Sequence, residues 1–264
     1  MPGQCMLHAI TPMVLTFNEV ANIRRAVEKL RWAARILIVD SGSTDGTLGI
    51  LADYPQVEIV HRPFDSFADQ CNFGLTRLRT DWVLSLDADY ELSDELVQEL
   101  HELQEAEGVA AYRASFVYRI NGQALRGTLY PPRTVLYRVQ DAHYENEGHG
   151  HRVVIRSGEV HSLRGVIYHD DRKPLSRWLA SQERYAHLEA DYLLNAAPHS
   201  LSLSDRIRRM GWPAPMVVFL YVFIVKRCLL DGWHGWYYAL QRLFAETLIA
   251  LEIIDQRFRR GFRS

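Results

Sequence analysis

The strongest constraint on the fold is the alternation of short apolar runs with segments of helical period in the first hundred or so residues. Apolar runs of strand length are found at Met13–Phe17, Ile36–Val39, Val57–Val60 and Trp82–Leu86. Between them, apolar residues recur at the spacing of one helix face, first at Val20, Ile23, Val27 and Leu30. Strands that alternate with helices of this length are typical of βαβ units. The sequence therefore predicts an α/β domain with a mostly parallel sheet.

The pattern changes twice further along the chain. After Gly108, strand-like segments separated by polar turns follow one another, at 110–120, 125–130, 134–139, 151–155 and 162–167. This pattern favours a mixed or antiparallel arrangement. From Pro174 onward the spacing of apolar residues predicts helices. We therefore expect one domain over 1–172, with halves at about 12–107 and 108–172, followed by a helical region at 173–264.

Polar residues are concentrated where these predicted strands end. Four such groups are Thr16-Phe-Asn-Glu19, Asp40-Ser-Gly-Ser-Thr-Asp45, Gln70-Cys-Asn72 and Asp87-Ala-Asp89. Ligands of open α/β sheets bind beyond the carboxyl ends of the strands. Asp87 and Asp89 share a strand face, and two carboxylates suit a divalent cation held against a diphosphate. Each group alone also has a simpler interpretation, because Asn18-Glu19 and Ser41–Asp45 are suited to capping helices.

In this order the four groups closely resemble the nucleotide-sugar-binding half of family 2 glycosyltransferases, which have the GT-A fold and transfer sugars with inversion. The resemblance covers roughly residues 12–100, and the sequences of Val39–Asp45 and Trp82–Asp89 are most similar to those of the lipopolysaccharide-core glucosyltransferase branch. Weaker similarity continues at 133–138, His149, His169 and 231–235. The resemblance implies a hexosyltransferase-like enzyme with a Rossmann-like nucleotide half, a mixed-sheet acceptor half and a C-terminal helical appendage.

The resemblance also implies roles for individual residues. The donor-binding residues would be Thr16, Phe17, Asn18, Glu19, Asp40, Ser41, Gly42, Gln70, Asn72 and Asp87. Among them Asp40 would accept the imide N–H of a uracil-like base, which favours a UDP-linked sugar. The metal ligands would be Asp89, Asp87 and His169 around Mg²⁺ or Mn²⁺, and the cation would neutralise the diphosphate leaving group. His169 has a simpler alternative, an ion pair with Asp170.

Inverting transfer also requires a base that removes the proton of the acceptor hydroxyl. The family uses a carboxylate on the acceptor side, and the acidic cluster in that region offers Glu147 and Glu145. The branch reads closer to Val-His-Glu, whereas Gly150 follows His149 here. We expect Glu147 ahead of Glu145, with His149 as the third candidate.

Other classes of protein fit the motifs less well. A haloacid-dehalogenase-like phosphatase would continue its Asp-x-Asp with Thr at position 91, where this chain has Glu91. An EF-hand loop from Asp87 would need glycine where Leu92 stands. A Rossmann dehydrogenase would need a glycine-rich first turn, which Thr16–Glu19 does not supply. The remaining alternative is a non-catalytic protein that binds nucleotide sugars with the same fold.

Charge and cysteine content indicate where such a protein works. The formal net charge of −2 argues against a nucleic-acid partner. Three cysteines without CxxC spacing indicate a reducing compartment. The N-terminus lacks a basic segment followed by an apolar one, so we expect no secretory signal and a cytoplasmic protein.

The C-terminal region has a composition of its own. Residues 200–264 hold ten Lys or Arg and five Asp or Glu, against 20 and 27 in residues 1–199. Pro215–Val225 is apolar but too short to span a bilayer, and the segment 233–254 has an amphipathic pattern. Interfacial aromatics and basic residues accompany them, namely Trp212, Trp233, Trp236, Tyr237, Tyr238, Arg257, Arg259, Arg260 and Arg263. We expect a peripheral protein on the inner face of the cytoplasmic membrane with a lipid-linked or saccharide acceptor, in lipopolysaccharide or other envelope polysaccharide assembly. The alternative is that these helices complete the core or form an oligomer interface.

Overall fold

The computed structural model describes residues 6–147 and 150–261, with the side chain of Glu147 outside the description. The chain forms two compact units. We call Met1–Gly122 with Tyr130–Arg172 the sheet unit, and Gln123–Leu129 with Lys173–Ser264 the helical unit.

A mixed sheet organises the sheet unit. Its strands are β1 (Ile10–Thr16), β2 (Ile36–Asp40), β3 (Val57–His61), β4 (Trp82–Asp87), β5 (Tyr90–Leu92), β6 (Val109–Ile120), β8 (Arg133–Arg138) and β11 (Glu159–His169), while β7 (Gln123–Ala124) belongs to the helical unit. The spatial order is β3-β2-β1-β4-β8-β6-β11-β5. The four strands β1 to β4 are parallel, β8 runs antiparallel to both β4 and β6, and β11 is parallel to β6. Strands β9 (Ala142–Glu147) and β10 (Gly150–Ile155) form a separate antiparallel pair.

The central strands are buried on both faces, which is why they appear as continuous apolar runs in the sequence. Val14, Ile38 and Leu84 face one core cluster, while Met13 and Val39 face the other. The covering helices are α1 (Ile23–Glu28), α2 (Thr47–Leu51), α3 (Phe67–Leu75) and α4 (Asp94–Glu102).

The parallel register brings three strand ends to one edge of the sheet. Thr16 pairs with Asp40 across β1 and β2, and Leu15 pairs with Asp87 across β1 and β4. The predicted βαβ pattern and the mixed second half are therefore confirmed, and polar residues from three different strand ends lie within reach of one site.

Some predicted elements are wrong in detail. The segment predicted as a strand at 125–130 is not one, because its backbone N–H groups bond to side chains: Arg126 N–H donates to Asp231 at 2.9 Å and Leu129 N–H to Tyr238 at 3.2 Å. Strands β5 and β9 were not predicted. Helix α1 begins at Ile23, so Val20 precedes it and is exposed.

The helical unit contains the predicted helices of the C-terminal region. They are α5 (Leu175–Asn195), α6 (Leu203–Met210), α7 (Ala214–Leu220) and α8 (Gly232–Gly261), with a π-helical turn at Tyr221–Val225 and a 3-10 turn at Cys228–Asp231. A small apolar cluster of Ala190, Leu193, Leu201 and Ile253 lies among them. Within the described residues, no helix has the length and apolar content to cross a bilayer.

Candidate functional site

Two loops at the carboxyl edge of the sheet are locked together by hydrogen bonds. Asn18, in the β1–α1 loop, has φ of 57°, a left-handed conformation that asparagine tolerates better than most residues. Its N–H donates to Ser43 Oγ at 2.8 Å, and its side-chain oxygen accepts from Thr44 N–H at 2.8 Å. Glu19 N–H donates to Thr47 Oγ1 at 2.7 Å. The β1–α1 and β2–α2 loops therefore form one ordered ridge.

Asp40 holds this ridge from beneath. Its side chain is fully buried and accepts from Thr16 Oγ1 at 3.0 Å, from Ser43 Oγ at 2.5 Å, and from the N–H groups of Gly42 and Ser43 at 2.9 Å each. Burial would raise the pKa of Asp40, but these hydrogen bonds outweigh it and hold the pKa below its usual range. The carboxylate is therefore ionised and organises the turn, while its predicted contact with a uracil-like base stays a prediction.

Phe17 and Gly42 lie at the surface of the ridge. Phe17 is 49 % exposed, so an apolar ring is presented to solvent beside the buried Thr16. Gly42 has φ of 95°, and a Cβ there would meet nothing within 4 Å. A planar group such as a nucleobase could lie against the Phe17 ring and the open backbone at Gly42.

Gln70 and Asn72, predicted to bind a donor, bond to other parts of the protein. The buried Gln70 amide donates to the carbonyls of Arg62 and Pro63 at 3.0 Å each. Asn72 donates to the Tyr144 carbonyl at 3.0 Å and accepts from Tyr144 N–H at 2.8 Å. Helix α3 therefore clamps the backbone of β9, the strand that carries both candidate bases.

Asp89 and His169 meet at the end of β4. His169 Nε2 lies 3.2 Å from Asp89 Oδ2, and both side chains are largely buried. Burial would lower the pKa of His169, but the Asp89 carboxylate outweighs it and raises the pKa. Rings of Tyr90, Tyr118 and Tyr130 surround the imidazole at centroid distances of 5.2, 4.6 and 5.0 Å.

The alternative partner of His169 is excluded by what Asp170 does. Asp170 is wholly buried, and its carboxylate lies 3.0 Å from Arg25 and 2.7 Å from Arg172. The interpretation of His169 as the partner of Asp170 is therefore wrong, because Asp170 instead joins α1 to the segment that follows β11.

The residues at this edge suit a divalent cation that is shared with a ligand. Within residues 6–147 and 150–261, no group of three or more His, Cys, Asp or Glu side chains could hold a metal alone. Asp89 and His169 nevertheless lie together, and Asp87, two residues before Asp89, is the last residue of β4. Mg²⁺ at nucleotide phosphates is typically held by one or two carboxylates, with phosphate and water oxygens completing its coordination. The donor set fits that kind of site, although the three predicted ligands do not form a closed cluster.

The acceptor-side candidates lie on β9 or next to it. Glu145 is about half exposed, and its carboxylate lies 3.1 Å from His143 Nε2 and 3.7 Å from Arg152. The side chain of Glu147 and the whole of His149 lie outside the described residues. The order of preference among these candidates is therefore still a prediction.

Two residues beside Asp87 were not among the predicted site residues. Arg133 lies over the ring of Tyr130 at 4.6 Å; burial would lower its pKa, but Tyr90, Tyr130 and Asp87 outweigh it and raise the pKa. His151 packs against Phe67 and Tyr144 at 5.5 and 5.3 Å, and burial lowers its pKa although Asp87 opposes this. In the sequence, Arg133 belongs to the segment of weaker family similarity at 133–138 and His151 begins a predicted strand, and neither position alone indicates a role at this site.

Comparisons with known proteins identify relatives over most of the chain. The family model described as Glycosyl transferase family 2 matches residues 13–158. A lipopolysaccharide core biosynthesis glycosyltransferase, LpsC of Rhizobium meliloti, is 27% identical over 239 residues, which are 84% of this chain and 84% of that protein. An uncharacterized glycosyltransferase of Rickettsia bellii is 24% identical over 261 residues, 93% of this chain and 86% of that protein.

A solved structure shows the same fold. The crystal structure of S. aureus TarS residues 1–349 in complex with UDP-GlcNAc matches with a TM-score of 0.50 and 14% identity, over 96% of this chain and 92% of that chain. Together with the strand order, this likeness confirms the predicted α/β fold of GT-A type with a C-terminal helical region.

Proposed function

The chain belongs to glycosyl transferase family 2, and from this premise we propose that it transfers a sugar with inversion from a UDP-linked donor to a lipid-linked or saccharide acceptor. The process it serves would be the assembly of lipopolysaccharide or another envelope polysaccharide. The relative named as a lipopolysaccharide core enzyme supports that process. The structural neighbour solved with UDP-GlcNAc supports the class of donor.

One observation carries the proposal. Asp89 and His169, which are 80 positions apart in the sequence, meet at 3.2 Å at the carboxyl end of β4. Asp87 ends the same strand, and Asp40 ends β2 on the other side of β1. Carboxyl ends of neighbouring parallel strands are where open α/β sheets bind nucleotides. The chain thus has carboxylate and imidazole groups that suit a metal at the same edge of the sheet as the ordered ridge, where we place the nucleoside.

The roles follow from these positions. Phe17 and the backbone at Gly42 would take the nucleoside, and Asp40 would keep the turn in shape for it. Asp89, His169 and Asp87 would hold Mg²⁺ or Mn²⁺, which supplies positive charge to the departing diphosphate. Arg133 lies beside Asp87 and adds a second positive charge at this edge.

Glu147 is the preferred base for the acceptor hydroxyl. Glu145 lies 3.1 Å from His143 Nε2 and 3.7 Å from Arg152, so it would have to leave these partners to reach an acceptor hydroxyl. Glu147 follows Glu145 by two positions on β9, and its preference as the base rests on the family resemblance. The hydrogen bonds of Asn72 fix the backbone at Tyr144, one residue before Glu145 and three residues before Glu147.

The helical unit would hold the enzyme at the inner face of the cytoplasmic membrane. Its exposed apolar side chains include Trp212 at 77 % and Trp233 at 84 %, and indole rings favour the membrane interface. This location would suit a lipid-linked acceptor.

A donor-binding assay followed by a transfer assay tests the function. Nucleoside diphosphates and nucleotide sugars are screened by thermal shift with Mn²⁺ or Mg²⁺, because ligands of the folded state raise its apparent stability. UDP and one UDP-sugar should raise the melting temperature only when the cation is present, and that sugar should then be hydrolysed or transferred. Binding without any turnover would favour the non-catalytic alternative, and turnover that persists in excess EDTA would contradict the metal.

A further inference from the structure

The helical unit contains a basic cavity that the proposed reaction does not use. It has a volume of 710 Å³ and lies between the segment after α5, helix α6 and the C-terminal part of α8. Its walls include His199, Arg206, Arg209, Trp212 and Arg257, and none of the described residues that line it is acidic. A cavity with this lining is suited to an anion.

Main-chain oxygens hold the three arginines in place. Arg206 Nε donates to the Leu201 carbonyl at 3.1 Å, and Arg209 Nη1 donates to the Ala196 carbonyl at 3.3 Å. Arg257 donates from both terminal nitrogens to the last two carbonyls of α6. The guanidinium groups are therefore oriented, and because carbonyls carry no formal charge the positive charge remains uncompensated.

Neighbouring arginines behave differently. Arg208 lies 2.6 Å from the buried carboxylate of Glu246, and Arg259 lies 2.7 Å from Asp255. Over the part of the chain that the structure describes, the three cavity arginines form no ion pair. Gathering like charges is unfavourable unless an anion joins them, so the concentration of unpaired guanidinium groups in one cavity indicates a ligand.

Apolar side chains border the cavity on the solvent side. Met210 and Trp212 line it and are 57 % and 77 % exposed. Leu203, at 76 %, lies on α6 one turn before Arg206 and two turns before Met210, so the three share a face. Basic groups beside exposed leucine, methionine and tryptophan are typical of surfaces that lie in the headgroup region of anionic membranes. This combination decides between a soluble anion and a lipid.

We propose that the cavity binds the phosphate group of an anionic membrane lipid, with Arg206, Arg209 and Arg257 on the phosphate and Trp212 at the level of the headgroups. Guanidinium groups match phosphate oxygens in paired hydrogen bonds, and a phosphate monoester offers the most oxygens. The inference rests on the membrane association proposed above and deepens it by assigning one headgroup site within the helical unit.

Vesicle sedimentation of the full chain tests the site. Phosphatidylcholine vesicles carry either phosphatidic acid or phosphatidylserine, adjusted to equal surface potential. The cavity variant is Arg209→Gln on α6 with Arg257→Gln on α8, and the control is Arg259→Gln with Arg260→Gln, which removes the same number of charges from the C-terminal end of α8 outside the cavity. If the attraction to the membrane is only diffuse, the two variants should lose the same amount of vesicle affinity, because each arginine contributes a similar amount near an anionic surface.

A specific site gives a different pattern. We expect the cavity variant to bind phosphatidic acid vesicles about tenfold more weakly than the control variant does, and to lose the preference for phosphatidic acid over phosphatidylserine. Equal losses in the two variants would overturn the site. A second result would also overturn the site. If inorganic phosphate without lipid binds at 1:1 stoichiometry, and as tightly as the vesicles do, the ligand is a free anion.

A second variant guards against misfolding, because Arg209 and Arg257 also bind helix-end carbonyls. Trp212→Ala alters a side chain that is 77 % exposed and should weaken phosphatidic acid binding several-fold with an unchanged melting temperature. Unchanged binding by a folded Trp212→Ala chain would contradict the assigned position of the headgroup. Both variants should keep UDP and Mn²⁺ binding, so loss of the lipid site is distinguishable from failure of the proposed function, which would remove donor binding from the wild-type chain.

Discussion

The two units differ in where they place polar and apolar side chains. In the sheet unit, the central strands are buried on both faces, and the polar group of greatest structural importance, Asp40, is satisfied by four hydrogen bonds. In the helical unit, large apolar residues such as Trp233 are exposed, and the cavity arginines have no counter-ion among the described residues. The sheet unit thus buries its apolar strands and pairs its buried carboxylate internally, and it presents a candidate site at one edge. The helical unit has surfaces that suit a binding partner.

We therefore propose that the sheet unit carries out the chemistry and that the helical unit attaches the protein to the membrane. The assignment fails if substitutions in the helical unit slow transfer to a soluble acceptor, or if substitutions at the sheet edge change vesicle binding. The experiments below test the two roles, and the last one measures vesicle binding and transfer on the same variant.

The largest effect is expected at the candidate base. Glu147→Gln should lower the rate of transfer by roughly 10² to 10⁴-fold, the range for a lost general base, while the affinity for UDP-sugar stays near normal. Glu145→Gln is the matched control, since it makes the same change two residues earlier on β9. A larger loss in the control would move the assignment to Glu145, and equal, small losses would leave His149 as the candidate.

Asp89→Ala comes next. Loss of a group that holds the cation on the diphosphate should reduce turnover by about 10² to 10³-fold, comparable to removing one electrostatic stabiliser of a transition state. It should also abolish the cation-dependent thermal shift by UDP. Asp53→Ala, at an exposed carboxylate paired with Arg24, is the control and should change neither quantity. If Asp89→Ala still shows the cation-dependent shift, the metal lies elsewhere.

Asp40→Asn tests whether the sheet unit depends on its buried carboxylate. The amide would put an NH₂ group against the N–H donors of Gly42 or Ser43, and hydrogen bonds to charged groups are worth about 1.5–3 kcal/mol. We expect a loss of roughly 2–3 kcal/mol in the free energy of unfolding at neutral pH, measured by denaturant titration.

The pH dependence of that loss has a definite sign. Because the folded-state pKa of Asp40 is lowered, its carboxylate stabilises the fold above the pKa of about 3.9 in the unfolded chain, and the stabilisation is lost as the pH falls towards the folded-state pKa. The difference between wild type and Asp40→Asn should therefore be constant above about pH 5 and shrink below pH 4. A difference that grows on acidification would contradict the ionised carboxylate.

Asn72→Ala should have a smaller, kinetic effect. It removes two hydrogen bonds that fix the Tyr144 backbone, each worth about 1 kcal/mol. If Asn72 positions the strand that carries the base, kcat should fall about tenfold while the KM for the donor stays unchanged. If Asn72 instead contacts the donor, as the family resemblance implies, the KM for the donor should rise. The split between kcat and KM decides between the two.

What the sequence could predict depended on how local the determining contacts are. Strands β1, β2 and β4 were predicted because burial on both faces leaves a continuous apolar run that is visible locally. The segment 125–130 is as apolar as a strand, but its backbone partners Asp231 and Tyr238 lie more than a hundred residues away. No pattern within the segment could show that its N–H groups bond to side chains.

The candidate site shows the same limit. The resemblance indicated Asp89 and His169 as ligands, and the structure brings them together. For His169 the sequence alone suggested the adjacent Asp170 as a partner, because adjacency is all that a sequence displays. Asp170 instead pairs with Arg25, which is 145 positions away, and with Arg172. Likewise the bonds of Asn72 to the backbone of β9 could not be foreseen, because that strand is not visible in the sequence pattern, and the predicted donor contact of Asn72 stays a prediction.

The smallest effect is expected for a single exposed tryptophan of the helical unit. Deleting the chain after Met210 would test attachment poorly, because the deletion removes Glu246, the buried partner of Arg208, and Ile253 of the small apolar cluster. Trp233→Ser alters a side chain that is 84 % exposed, so the melting temperature should stay within a degree or two of wild type. Burying one indole in the membrane interface raises the partition coefficient a few-fold. Binding to anionic vesicles should therefore fall about three- to tenfold. A control is Trp32→Phe in the sheet unit, at a partly buried tryptophan that packs against the core, and this change should leave vesicle binding unchanged. Transfer to a soluble acceptor should be the same in Trp233→Ser and wild type, and a loss of that activity would show that the helical unit takes part in the chemistry.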